Sequence, residues 1–215
     1  MTDFFTADLH LGHANILKYT DRGEWFPSIG VHDEGVVEDW NKTVSQGDLV
    51  YLIGDVGWGR SSRQQVRLVE LVSRLNGRKV LLHGNHDRIR DGSDLAGCFV
   101  ERYDYKELDI RDEDAPGGKQ HVSLFHYPIS SWNRKHHGAW MFHGHSHSND
   151  PGLYSPRMAR VDVGVDAWSW RNRLEKGAEK VDGGDDFYPL YAPVSYDEIK
   201  TYLTKQLLTM GERGE

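Results

Sequence analysis

The 215-residue chain has a single cysteine, Cys98, and therefore no internal disulfide framework. A reducing, cytoplasmic setting is expected, and a cysteine-based structural zinc site is excluded. Long apolar runs are also missing: none approaches the ~18 residues that a membrane span requires. The opening MTDFFTADLH is acidic and lacks an apolar stretch, so no signal peptide is expected. Basic runs are equally scarce in a chain of net charge −7, so duplex DNA binding is not indicated and no membrane partner is expected. Internal repeats, low-complexity tracts and long linkers are absent. Residues 1–215 therefore read as one domain, with 38% hydrophobic residues to form its core.

What the sequence does contain is a series of short apolar runs, each ending in polar residues: DFFTAD, DLVYLIGD, KVLLHGN, HVSLFHYP and AWMFHGHSH, with RVDVGVDAW following. Their shortness, their β-branched and aromatic content and their Gly or Pro boundaries mark buried strands. Helices are expected over roughly 32–45 and 61–75, and a third from Ser195, where Ser195 and Glu198 match a capping box. RDEDAPGGKQ (111–120) reads as a hairpin turn and 175–189 as a surface loop. The acidic DGGDD at 182–186 lacks the ligand alternation of a calcium loop. Strands and helices alternate in the first half, and strands dominate the second, giving an α/β class.

The reactive residue types sit at the carboxyl ends of these strands, where α/β sheets bind ligands. Asp8 and His10 follow the first run, Asp55 the second, Asn85, His86 and Asp87 the third, His126 the fourth. The fifth ends in HGHSH, whose His143, His145 and His147 would share a face if the strand continued. Gly54, Gly84 and Gly144 let the backbone approach closely. Imidazole and oxygen donors without thiolate suit manganese, iron, zinc or nickel. Seven such donors exceed the needs of one tetrahedral ion but match two ions sharing a carboxylate, an arrangement that activates water for in-line displacement at phosphorus.

This ordered set, Asp8-x-His10, Gly54-Asp55, Gly84-Asn85-His86-Asp87, His126 and Gly144-His145-x-His147, resembles the calcineurin-like metallophosphoesterases, and among them the small stand-alone bacterial and phage members. The resemblance implies a four-layer α/β/β/α sandwich with two facing mixed sheets. It implies that Asp8, His10, Asp55 and His147 hold one metal and that Asp55 bridges to a second held by Asn85, His126 and His145. His86 would face the phosphoryl group with Asp87 orienting it, while a hydroxide between two divalent ions, manganese first, attacks phosphorus. Trp58 stands where many relatives carry a second aspartate, which sets the chain apart from the protein serine/threonine phosphatase branch.

The expected substrate is a small phosphate ester, nucleotides included, with His13 and Arg60 as candidate substrate contacts. His143 is expected to support a neighbouring ligand, His83 to line a wall, and His136 and His137 to be solvated. Of Trp58, Trp132, Trp168 and Trp170, most are expected to pack. Two other functions compete: a nuclease acting on single-stranded nucleic acid, which the acidic balance disfavours, and a non-catalytic metal-binding scaffold, which need not retain the full ligand set.

Overall fold

The computed structural model describes residues 2–147, 159–168 and 191–211. The expected loop at 175–189, its acidic stretch at 182–186 and Trp170 lie outside them. The elements run β1 (Asp3–Thr6), α1 (Ile16–Tyr19), α2 (Arg22–Trp25), α3 (Ile29–Thr43), β2 (Leu49–Ile53), α4 (Ser62–Ser73), β3 (Arg78–Leu82), β4 (Glu101–Tyr103), β5 (Tyr105–Arg111), β6 (Lys119–Phe125), β7 (Trp140–His143), β8 (Arg160–Asp162), β9 (Val194–Ser195) and α5 (Tyr196–Gly211). The longer helices fall where expected, α3 starting three residues earlier than the pattern indicated.

Two mixed sheets form. One has the order β4-β3-β2-β1-β9, parallel except for β9; the other is β5-β6-β7-β8, with β5 antiparallel and the rest parallel. Period-two alternation divides the first sheet's side chains between two cores. Phe4, Val50, Leu52 and Leu81 meet Val36, Val37 and Trp40 of α3 and Leu68, Leu71 and Val72 of α4. Phe5, Tyr51, Ile53, Val80 and Leu82 meet Val122, Leu124, Phe142 and Val161 of the second sheet. Phe5 is fully buried where the sheets meet, stacked on Tyr51 at 5.3 Å and edge-on to Phe142 at 4.9 Å. Strands covered on both faces need no polar alternation, which is why β1 to β3 read as continuous apolar runs.

The helix starts are specified locally. Ser61 Oγ accepts from the Gln64 amide, with the Gln64 side chain returning to the Ser61 amide. Ser195 and Glu198 make the same reciprocal pair at α5, as the sequence indicated. The 111–120 segment turns the β5–β6 hairpin. No helix among the described residues is long and apolar enough to cross a membrane.

The architecture brings the carboxyl ends of β1, β2, β3, β6 and β7 to one edge. The chain segments beyond them continue to pair, Asp8 N–H donating to Gly54 O and His10 N–H to Asp55 O, both at 3.0 Å. Backbone bonds thus join the loops after β1 and β2, and those after β6 and β7 through Gly144 N–H to His126 O at 3.0 Å.

Candidate metal centre

At that edge two groups of donors form. Asp8, His10 and His147 offer atoms within 4.8 Å of one another, and so do Asp55, His126 and His145. Asp55 joins the two: its Oδ2 lies 3.6 Å from His10 Nε2 and 3.6 Å from His126 Nε2. Asn85 Oδ1 is 3.1 Å from His126 Nε2, on the second group's side. All seven residues singled out from sequence as ligands therefore converge.

They do not converge by strand alternation. β1 ends at Thr6 and β7 at His143, before the ligands begin. Six non-glycine residues among the described ones have positive φ, and five of them are Asp8, His10, Asp55, His145 and His147. This left-handed conformation costs an L-residue roughly 1–2 kcal/mol, and such strain concentrates at functional sites. Each turn redirects a side chain that an extended strand would aim elsewhere. The continuous strand expected through HGHSH is thus replaced by a turn. His143 stays behind in β7, buried, with its Nδ1–H donating to Gly144 O at 2.9 Å, a local brace on the turn that carries the two ligands. Gly144 has no room for a side chain: a Cβ there would sit 2.6 Å from Asp8 Oδ2. Gly54 combines a φ of 87° with a position where a Cβ would strike the His126 ring.

The free donor atoms suit a cation. Asp8 Oδ2 accepts the His145 amide at 2.9 Å, whereas Oδ1 is buried and has no hydrogen-bond partner. Asp55 Oδ1 accepts the His86 amide at 2.8 Å, leaving Oδ2 to the surrounding imidazoles. His126 Nδ1–H donates to Ile53 O at 2.9 Å, so its Nε2 carries the lone pair. His147 Nδ1–H donates to Asp166 Oδ2 at 2.6 Å, with the same result. His10 Nε2 then faces His147 Nε2 at 3.3 Å. Two ring nitrogens facing one another beside an unpartnered carboxylate oxygen form a donor set that a divalent ion can satisfy.

Electrostatics agree. Burial pushes the Asp8 carboxyl well above, and the Asp55 carboxyl above, the usual carboxylate range. Burial likewise holds His10 well below the ordinary imidazole value, and His126 and His145 below it. Such a site disfavours both carboxylate and imidazolium, and a cation removes the first penalty without requiring the second. His147 differs: burial opposes its charge, but the hydrogen bond it donates to Asp166 and the charge of Asp8 lift it to about 8.

No protein-family model matches the chain. The Gene 66 protein of Mycobacterium phage D29 is 32% identical over 181 residues, 77% of this chain and 88% of that protein. The chain belongs to the Gene 66 protein family. The Gene 66 protein of Mycobacterium phage L5 is 30% identical over 186 residues, covering 77% and 86% of the two chains. An uncharacterized protein of Methanocaldococcus jannaschii shares 28% over 171 residues, 78% and 84%. A crystal structure of a protein of unknown function from Aquifex aeolicus superposes with a TM-score of 0.62 at 22% identity, over 94% of this chain and 98% of that one, and so shares its fold.

In this Gene 66 family member Asp87, His13 and Arg60 each make a contact that the motif order does not show. Asp87 was expected to orient His86, but its carboxylate accepts the amides of Gly84 and Asp55 at 2.8 Å and of Val56 at 2.9 Å. It braces the loop that carries Asp55, because a carboxylate can satisfy several neighbouring amides of a tight turn at once. His13, a candidate substrate contact, has its Nδ1 3.2 Å from His10 Nδ1 and its ring stacked on Trp58 at 4.4 Å, so it orients His10 while its edge lines the crevice. Arg60 is exposed, with its guanidinium over the Trp58 ring at 4.1 Å. His86 is part-exposed, its Nε2 3.9 Å from Asp55 Oδ2, and it lines a crevice of about 560 Å³ over both ligand groups. His83 is half-buried, and His136 and His137 are exposed. Trp132 and Trp168 pack in cores.

Two functional residues have no place in the motif reading. Arg22, fully buried, donates through Nε and a terminal nitrogen to both oxygens of Asp166, at 2.8 and 2.6 Å. It also donates to the carbonyls of Asp8 and Leu9, at 2.6 and 2.9 Å, fixing the strained turn between Asp8 and His10. Burial works against an ionised Asp166, yet Arg22 and His147 outweigh it and hold that carboxyl well below its usual range. Asp166 lies in DVGVD, a segment visible in sequence but silent about its partner, and Arg22 sits in a one-turn helix without any local signal.

Proposed function

We propose that this protein is a dinuclear metal-dependent phosphoesterase of the calcineurin-like type, with the four-layer α/β/β/α sandwich as its fold family, that hydrolyses a small or nucleotide-like phosphate ester. The observation that carries this reading is the position of Asp55 Oδ2, 3.6 Å from one imidazole of each donor group. A carboxylate shared between two sets of imidazoles fits paired cations that have a bridging ligand.

Asp8, His10 and His147 would hold one ion, Asn85, His126 and His145 the other, and Asp55 both. Two divalent cations, manganese first and iron, zinc or nickel as alternatives, supply Lewis-acid polarisation of phosphoryl oxygens and an activated water at neutral pH. The chain's own groups do the rest. Asp87 and the Arg22–Asp166 pair keep the ligand loops in their strained turns. His86, part-exposed beside Asp55, is placed to hold a proton for the departing oxygen.

The test is metal content together with hydrolysis of an aryl phosphodiester under manganese. Wild-type protein should retain about two ions per chain and turn over. Asp55→Ala should lose both properties. Turnover unchanged in Asp55→Ala would defeat the mechanism, and fewer than about one ion per chain under manganese-replete conditions would favour a scaffold.

A further inference from the structure

A groove of about 510 Å³ opens beside the metal crevice and shares Trp58 and His86 with it. Arg60, Arg88 and Arg90 line it, all three exposed. None of the three makes an ion pair among the described residues. Arg22, Arg67, Arg74, Arg102 and Arg111 each hold a carboxylate, whereas Arg63 and Arg134, elsewhere on the surface, also make no ion pair among the described residues. The chain carries 33 acidic against 26 basic residues, so carboxylates to neutralise a surface arginine are plentiful. Here that neutralisation is missing. Asp87 is occupied by three backbone amides, and Asp94 is the remaining acid among the lining residues. Leu68, Val69 and Leu95 add apolar lining. Guanidinium forks match phosphate oxygens in geometry, and a low-dielectric wall strengthens their field.

We propose that this groove is a second phosphate subsite, so that the substrate is a nucleotide-sized ester carrying two or more phosphates, one at the metal centre and another among Arg60, Arg88 and Arg90. The word substrate rests on the phosphoesterase reading; the anion subsite itself does not. The groove lies within the ~300–1,000 Å³ typical of small-ligand sites. Trp58 forms the wall between the two compartments, and Arg60 lies over its ring, so a phosphate chain would pass from His86 along Trp58 to the arginines.

The experiment titrates inorganic tripolyphosphate into metal-free protein by calorimetry and compares it with orthophosphate. Tripolyphosphate should bind at least about tenfold more tightly than orthophosphate, because several guanidinium groups engage several phosphates. The Arg88→Gln/Arg90→Gln double variant should lose at least about tenfold of that affinity and show a shallower salt dependence. Arg111→Gln, the loss of one guanidinium charge in the β5–β6 hairpin, should bind as wild type. Both substituted sites are solvent-exposed, so matching thermal melts certify the fold. Equal affinity in wild type and the double variant, or an equal loss in Arg111→Gln, would overturn the subsite. Manganese stoichiometry is measured in parallel: a deficit there defeats the phosphoesterase reading and leaves the tripolyphosphate result standing.

Discussion

At the scale of single residues, the site separates groups that face the crevice from groups that hold them. His86 faces it, with its amide bonded to Asp55 Oδ1 and its ring part-exposed. His86→Ala should lower kcat by about 10²–10⁴ and leave manganese stoichiometry unchanged, as expected for loss of a proton donor. Joint loss of metal and rate would instead make it a ligand. Asp166 acts differently, through His147 Nδ1 and against a fully buried Arg22. Asp166→Asn should weaken metal binding about 10–100-fold by loosening His147. It should also cost roughly 3–5 kcal/mol, because a buried guanidinium is left without its counter-charge. His147→Ala should lose the metal with much less destabilisation, since the Arg22–Asp166 pair survives. Urea unfolding combined with metal titration of the two variants separates the effects, and equal destabilisation would refute the assigned division of labour.

Among the elements, the helices α3 and α4 are tied across their exposed faces by Glu34, which pairs with Arg67 at 2.8 Å and Arg74 at 2.5 Å. Hydrogen bonds from Arg74 and then Arg67 depress the Glu34 carboxyl to about 2. A carboxyl whose folded value lies below its unfolded one stabilises the fold above the unfolded value, near 4.5, and that contribution vanishes as pH falls to about 2. Half-exposure to solvent limits the gain to less than about 1 kcal/mol. Glu34→Gln should therefore lower the urea midpoint slightly at pH 7, with the difference closing by pH 2; a gap persisting at pH 2 would contradict the assignment. The same scale shows what sequence could reveal. β1 to β3 were legible because strands buried on both faces are written as unbroken apolar runs, and α5 because its capping box is local. α1 and α2 were not, since one-turn helices carry no periodicity. Arg22, on α2, meets Asp166 across 144 residues, a contact that only the assembled sheet edge creates. The ligand residues were legible from their order, while the left-handed turns that aim them were not, because nothing in DLH or HGHSH distinguishes a strand from a turn.

Across the whole molecule, the fold gathers the carboxyl ends of strands from both sheets and leaves there a buried carboxylate oxygen on Asp8 without a partner. Two buried carboxyls are pushed up and three imidazoles pushed down by burial at the same edge. Each shift means that the metal-free fold carries an electrostatic cost that the unfolded chain, solvated by water, does not. A cation that binds only the folded state must therefore stabilise the whole domain, because the ligands come from five strands that the unfolded chain does not bring together. At a free concentration about 100-fold above its dissociation constant, one ion adds about 2.7 kcal/mol. For a chain of this length that corresponds to a rise in Tm of roughly 5–10 °C, with a further rise as a second site fills. Manganese should thus raise the Tm in two concentration-dependent stages. Asp55→Asn, which weakens the carboxylate common to both groups, should blunt both stages, whereas Asn85→Ala should blunt one. A wild-type Tm indifferent to manganese, iron, zinc and nickel would mean that the donors satisfy one another, and the dinuclear centre would fall with it.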